Sequence, residues 1–137
     1  MSFARIAIFA LVATAFMVMP RVTLAQAAQF DTGQVLDRCQ TVDCRRVVHR
    51  VVKRIRKGGA SRDEMNSQIG ILAGTVIDAA KDRPRREVRD IASSLIFMSA
   101  ISTDRRQRLA LRRAAFAVAR GRANNFDTSS PWAVSPA

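Results

Sequence analysis

The densest chemistry in the chain lies at positions 45–57, where Arg45, Arg46, Arg50, Lys53, Arg54, Arg56 and Lys57 occur with no acidic residue among them. Seven cations on so short a stretch make a concentrated positive field, suited to phosphate, carboxylate or sulfate groups. Arginine adds a planar fork that grips such oxygens two at a time. A charge run of this kind also occurs on solvated faces that only keep a small protein soluble, so the field marks a candidate binding face rather than a proven one. The one histidine, His49, stands inside the run with no Asp or Glu near it in sequence to orient its ring. It is expected to be a solvated surface residue, not a general base. No nucleophile elbow, glycine-rich phosphate loop or metal-ligand spacing is present, and neither an enzyme nor a metal or cofactor is expected.

Cys39 and Cys44 are the two cysteines, so one intramolecular pairing exists. On a continuous helix, residues five apart point about 140° away from each other, which a disulfide cannot bridge. A bridge therefore predicts a helix break near residues 40–42, with Thr41 as the N-cap of the following helix and Asp43 adding negative charge to its first turn. A catalytic dithiol would favour C-x-x-C beside a βαβ pattern, and the chain has neither.

Helices must position these groups. Val47, Val48, Val51, Val52 and Ile55 recur with the helical period and define an apolar arc opposite the basic residues, ended by Gly58 and Gly59. Ser61 and Glu64 have the spacing of a capping box. The helix they start is expected to run to about Ala80 on a stripe of Met65, Ile69, Leu72, Ala73, Val76, Ile77 and Ala80. Gly70 and Gly74, four apart, suggest the close approach of another helix. Pro84 suits the first turn of the next element, whose face is Val88, Ile91, Ala92, Leu95, Ile96 and Ser99, while Phe97 points to a second neighbour. The residues Ser102, Thr103 and Asp104 offer caps for a last helix that should reach Arg120 before Gly121 stops it. That helix has Leu111, Ala114, Ala115 and Val118 on one face, and Leu109 and Phe116 among arginines on the other. The fold class is all-α: a small compact array of about four helices over 28–121, followed by an extended or disordered tail at 122–137 in which Phe126 and Trp132 are the aromatic residues. Strand signals are missing.

Residues 1–27 read as a cleaved secretory signal. Arg5 precedes a fourteen-residue apolar run from Ile6 to Met19 that Pro20 ends, and Ala25-Gln26-Ala27 matches the small-residue site that signal peptidase cuts. Fourteen helical residues span about 21 Å, less than the ~30 Å hydrocarbon core, so an uncleaved anchor is the weaker reading.

The chain of 137 residues has 23 Lys plus Arg against 11 Asp plus Glu, a formal net charge of +12. Its length excludes a multidomain enzyme, and its hydrophobic content of 48% excludes wholesale disorder. Cleavage after Ala27 would remove Arg5 and Arg21 and leave a net of +10. The expected protein is a periplasmic or secreted basic helical domain that docks its cationic face on an anionic lipid, a glycan or an acidic protein. A membrane-active cationic protein is the second class, although the 44–57 helix lacks the Trp, Phe and Leu of interfacial anchors. A nucleic-acid binder is the third. Export argues against it, and it returns if the N-terminus is an uncleaved anchor. No feature of the sequence specifies an oligomeric state.

Overall fold

The computed structural model describes residues 28–41 and 43–128; the signal read at 1–27 and the last nine residues, Trp132 among them, lie outside the described residues. Within that span the regular elements are all helical: α1 (Thr32–Thr41), α2 (Cys44–Lys57), α3 (Arg62–Ala80), α4 (Arg89–Ile101) and α5 (Arg105–Ala119). Short 3-10 turns occur at Arg85–Glu87 and Ala123–Asn125.

The array is organised around α3, which touches each of the other four α-helices. Its expected stripe is buried apart from Met65, which is half-buried, and Gln68 and Ala79 are buried as well. Apolar contact on most of its circumference is the mark of a central helix. The helices around it bury one face each. Val47, Val48, Val51, Val52 and Ile55 of α2, Ile91, Leu95 and Met98 of α4, and Leu111, Ala114, Ala115 and Val118 of α5 enter a common core. The longest packed seam runs between α4 and α5.

The caps at the start of α3 and the end of α5 follow the sequence closely. Ser61 Oγ accepts from the Glu64 amide at 3.2 Å and the Ser61 amide donates to Glu64 Oε2 at 2.6 Å, completing the capping box at the start of α3. The Ser61 backbone amide first, and its hydroxyl second, stabilise the charged form and hold the Glu64 carboxyl below its ordinary range. At the end of α5 the Gly121 amide reaches the Val118 carbonyl at 2.8 Å and the Arg122 amide the Ala117 carbonyl at 2.9 Å. This is a Schellman ending, with Gly121 at φ +75°.

Five findings differ from the sequence expectation. A helix, α1, precedes the cysteines. It starts on Asp31, whose carboxylate accepts from the Gln34 amide at 2.9 Å, and it buries Val35 and Cys39. Between the cysteines α1 runs to Thr41 and α2 starts at Cys44, and the N-cap of α2 is Asp43, which accepts from the Arg45 amide at 3.0 Å. Thr41 closes α1 instead, its hydroxyl donating to the Asp37 carbonyl at 3.0 Å. Pro84 opens a 3-10 turn, and α4 begins only at Arg89, because Val88 turns into the core between them. A Cβ added at Gly74 would meet nothing within 4 Å, so no neighbouring helix makes close approach at that position. Packed structure also continues past Gly121. Ala123 is buried and Phe126 half-buried against the core, Asn124 Nδ2 donates to Asp82 at 3.0 Å, and the Thr128 hydroxyl bonds Asp78.

A polar cluster ties the α4–α5 corner to α3. Gln107, 1% exposed, donates from Nε2 to the Asn66 carbonyl at 2.7 Å and accepts from the Ser102 hydroxyl. Asn66 Oδ1 in turn accepts from the Thr103 amide at 3.0 Å. With every buried side-chain polar atom satisfied among the described residues, the cluster fixes the corner without leaving a desolvated group unpaired.

Candidate functional site

The position of α2 is set at its first turn. The sulfurs of Cys39 and Cys44 lie at disulfide distance, with both residues buried, and join the end of α1 to the start of α2. Asp90, on α4, accepts from the Cys44 amide at 2.8 Å, and Arg83 donates to the Cys39 carbonyl at 3.0 Å. Two carboxylates, Asp43 and Asp90, thus occupy the positive end of the α2 dipole, and a guanidinium meets a carbonyl at the negative end of α1. Arg83 therefore acts in this junction and is not part of an open basic surface.

Because five apolar residues point α2 inward, its remaining circumference is turned to solvent. Arg45, Arg46, Arg50, Lys53, Arg54, Arg56 and Lys57 are all exposed. Among the described residues one of these seven has an ion pair, Arg46 with Asp43 at 3.3 Å. The other six meet no carboxylate within ion-pair distance among the described residues. Three of them, Arg54, Arg56 and Lys57, occupy the last turn, where the helix dipole favours positive charge.

His49 is exposed as expected, but it is not merely solvated. Its ring stacks on Phe97 of α4, with centroids 3.7 Å apart and planes inclined by 18°. Phe97 is the residue that the α4 wheel places off the core stripe, and α2 is the second neighbour it reaches. Around this stack lies a shallow depression of about 690 Å³, lined by Val52 and by Arg50, Lys53, Arg56 and Lys57. Four of the seven predicted cations converge on the aromatic pair, whereas Arg45, Arg46 and Arg54 do not line it. The lining contains no carboxylate. An aromatic floor beside four exposed cations can bind oxyanions, and can stack a planar group that carries one.

The other basic segments divide in two. Arg105, Arg106, Arg108, Arg112 and Arg113 are exposed along α5, with no ion pair among the described residues. Arg85, Arg86 and Arg89 gather where α4 begins, beside a second depression that includes Ile96 and Phe116. The nearby acids neutralise little of this charge. Asp82, Asp90 and Asp104 are bonded to Asn124, the Cys44 amide and the Gln107 amide, and of these neighbours Glu87 alone pairs with arginines, Arg83 at 3.9 Å and Arg86 at 3.6 Å.

Among the described residues no group of three or more His, Cys, Asp or Glu is placed to hold a metal ion, and no helix is long and apolar enough to cross a membrane. Phe97 is the site residue that sequence reasoning missed; its misfit to the α4 stripe was the available signal. Comparison with known proteins adds no relative: no family model matches the chain, and neither does any curated protein or solved structure.

Proposed function

We propose that the protein is a non-catalytic binding or accessory protein, exported to the periplasm or beyond, which docks the α2 face on an anionic envelope component or an acidic partner protein. One observation carries this reading: Arg50, Lys53, Arg56 and Lys57 converge on the His49–Phe97 stack with no carboxylate in the lining. Export is supported by the pattern of residues 1–27 and by the buried Cys39–Cys44 pair, since disulfides persist in oxidising compartments. A membrane-active mode in which α2 lies in the lipid interface is disfavoured, because its apolar face is already buried in the core and would have to leave it.

The test is binding of the purified chain to phosphatidylglycerol vesicles, lipopolysaccharide, an acidic polysaccharide, an acidic protein and duplex DNA, each at low and high salt. The comparison variant is Arg50→Gln, Lys53→Gln, Arg56→Gln, Lys57→Gln. At an anionic surface each cation contributes about 1 kcal/mol, so losing four should weaken binding by about three orders of magnitude. Wild-type affinity in the variant would overturn the reading. A preference for DNA over every envelope component, in a chain retaining residues 1–27, would replace it with the nucleic-acid class.

A further inference from the structure

The second depression lies across α4 from the first, Ile96 lining one and Phe97 the other. It is a groove of about 410 Å³ between the first half of α4 and the last turns of α5, within the size range of small-molecule sites. Its two ends differ in chemistry. Arg85, Arg86 and Arg89 stand at one end. The floor is apolar, made by Ala92 and Ile96 of α4 and Ala115 and Ala119 of α5.

Three large hydrophobic residues are exposed among the described residues, and two of them, Ile96 at 43% and Phe116 at 64%, line this groove. Leu109 is the third, at 48%, and stands elsewhere on α5. Single exposed apolar residues need no explanation, but two flanking one groove with an apolar floor mark a surface that gains by being covered. The arginine end is built as well. Gly121, in the left-handed conformation that ends α5, lies under Arg85: a Cβ there would stand 2.9 Å from Arg85 Cγ. The bare glycine lets the Arg85 stem lie across the helix end. Arg86 shares its charge with Glu87 at 3.6 Å, while Arg85 and Arg89 have no ion pair among the described residues. Ser93, also in the lining, already donates to the Arg89 carbonyl at 3.0 Å.

A cationic end and an apolar trough together complement one kind of molecule. We propose that the groove binds a single-chain anionic amphiphile, with an oxyanion head held by Arg85 and Arg89 and an alkyl chain lying along Ile96 and Phe116. From Arg89 to Ile96 the trough follows seven residues of helix, about 10 Å, which suits a chain of medium length. The site shares no residue with the α2 face and does not rest on the function proposed for it.

The experiment is titration calorimetry of the purified chain with decyl phosphate and with decanoate, both below their micelle concentrations. Inorganic phosphate and a neutral decyl glycoside serve as the chain-free and charge-free arms. One decyl phosphate or decanoate per chain is expected, bound at least about tenfold more tightly than either control, since both the charged bonds and the chain contribute. The tighter of the two alkyl anions identifies the head group. Arg85→Gln with Arg89→Gln should weaken binding about tenfold or more, and Phe116→Ser, at an exposed position that does not endanger folding, by about tenfold. The four-residue α2 variant should bind as wild type. Equal affinity for inorganic phosphate, unsaturable uptake of many molecules per chain, or loss in the α2 variant equal to that in the Arg85/Arg89 variant would each overturn the proposal. A wild-type dimer that Phe116→Ser converts to a monomer would overturn it too, by assigning the groove to a second copy of the chain.

Discussion

Arg50→Glu should raise the thermal stability of the protein while weakening its binding to anions. On α2 the cations at positions 46, 50, 53, 54, 56 and 57 form six like-charge neighbours at three- or four-residue spacing. Three of these involve Arg50, with Arg46, Lys53 and Arg54 as partners. Each such pair costs about 0.2–0.5 kcal/mol when repulsive and returns a similar amount when attractive. Turning three repulsions into attractions therefore stabilises the helix by about 1–3 kcal/mol. Asp43 already sits 3.3 Å from Arg46 and reduces the share of that partner, which favours the lower half of the range. In a domain of roughly 100 residues, 1 kcal/mol shifts Tm by about 4–8 °C. Circular-dichroism melts at about 10 mM and about 1 M salt, where the Debye length falls from about 30 Å to about 3 Å, should show a Tm gain of 4 °C or more at low salt and most of it gone at high salt. An unchanged or lower Tm at low salt would refute the claim that the α2 face is under electrostatic strain. A gain indifferent to salt would assign it to packing.

Reducing the Cys39–Cys44 bridge opens a six-residue loop, for which chain entropy corresponds to about 2 kcal/mol, so melts with and without reductant should differ by about 8–16 °C; a difference under 3 °C would place the stability of the junction in Asp90 and Arg83 instead. Gly74→Ala should stabilise by about 0.5–1 kcal/mol, read as a higher denaturation midpoint, since the added methyl meets nothing within 4 Å and the helix loses a flexible residue; a lower midpoint would show that the space is filled. The Glu64 carboxyl is depressed by its bonds to Ser61, so its contribution is full above the ordinary value of 4.5 and is lost as pH falls through the folded-state value. Wild type should then lose stability relative to Glu64→Gln only below about pH 4.5, with no change in the difference between pH 6 and 8; a parallel pair of curves down to acid would refute the assignment.

Local signals were legible in the sequence. The Ser61 and Glu64 box, the glycine endings at 59 and 121 and the valine arc of α2 each rest on residues within one or two turns of each other, and each appears where the pattern puts it. Helix α1 escaped because only Val35 and Cys39 are buried in ten residues, too few to set a period; the cap pair Asp31 and Gln34 was the signal that could have found it. The start of α4 escaped for a different reason. Pro84 marks a boundary correctly, but the burial of Val88 decides that the first turn is 3-10, and burial is a property of the whole array. The cations of the candidate site could be named from sequence, whereas their aromatic floor could not. His49 and Phe97 are 48 residues apart, and only the packing of α2 on α4 brings their rings together.

The strength of the positive field comes from where the carboxylates stand as much as from the arginine count. Eight of the eleven acidic residues are tied to helix ends or turns. Asp31, Asp43, Glu64 and Asp104 cap their own helices, Asp90 meets the first amide of α2, Asp78 and Asp82 hold the turn beyond α3 and the segment after α5, and Glu87 pairs with Arg83 and Arg86. Carboxylates placed at helix N-termini satisfy free amides and oppose the dipole, a local demand of the fold that leaves none within α2 or within α5. Among the described residues the outer faces of α2 and α5 therefore have one ion pair, Arg46 with Asp43. A role in solubility requires net charge of either sign distributed anywhere on the surface. It supplies no reason for four cations to line a depression around an aromatic stack with no acid in that lining, or for six like-charge neighbours to be kept on one helix against a repulsion of about 1–3 kcal/mol. A face that binds an anion supplies both, because the ligand provides the missing negative charge and the bound state relieves the repulsion that the free protein carries.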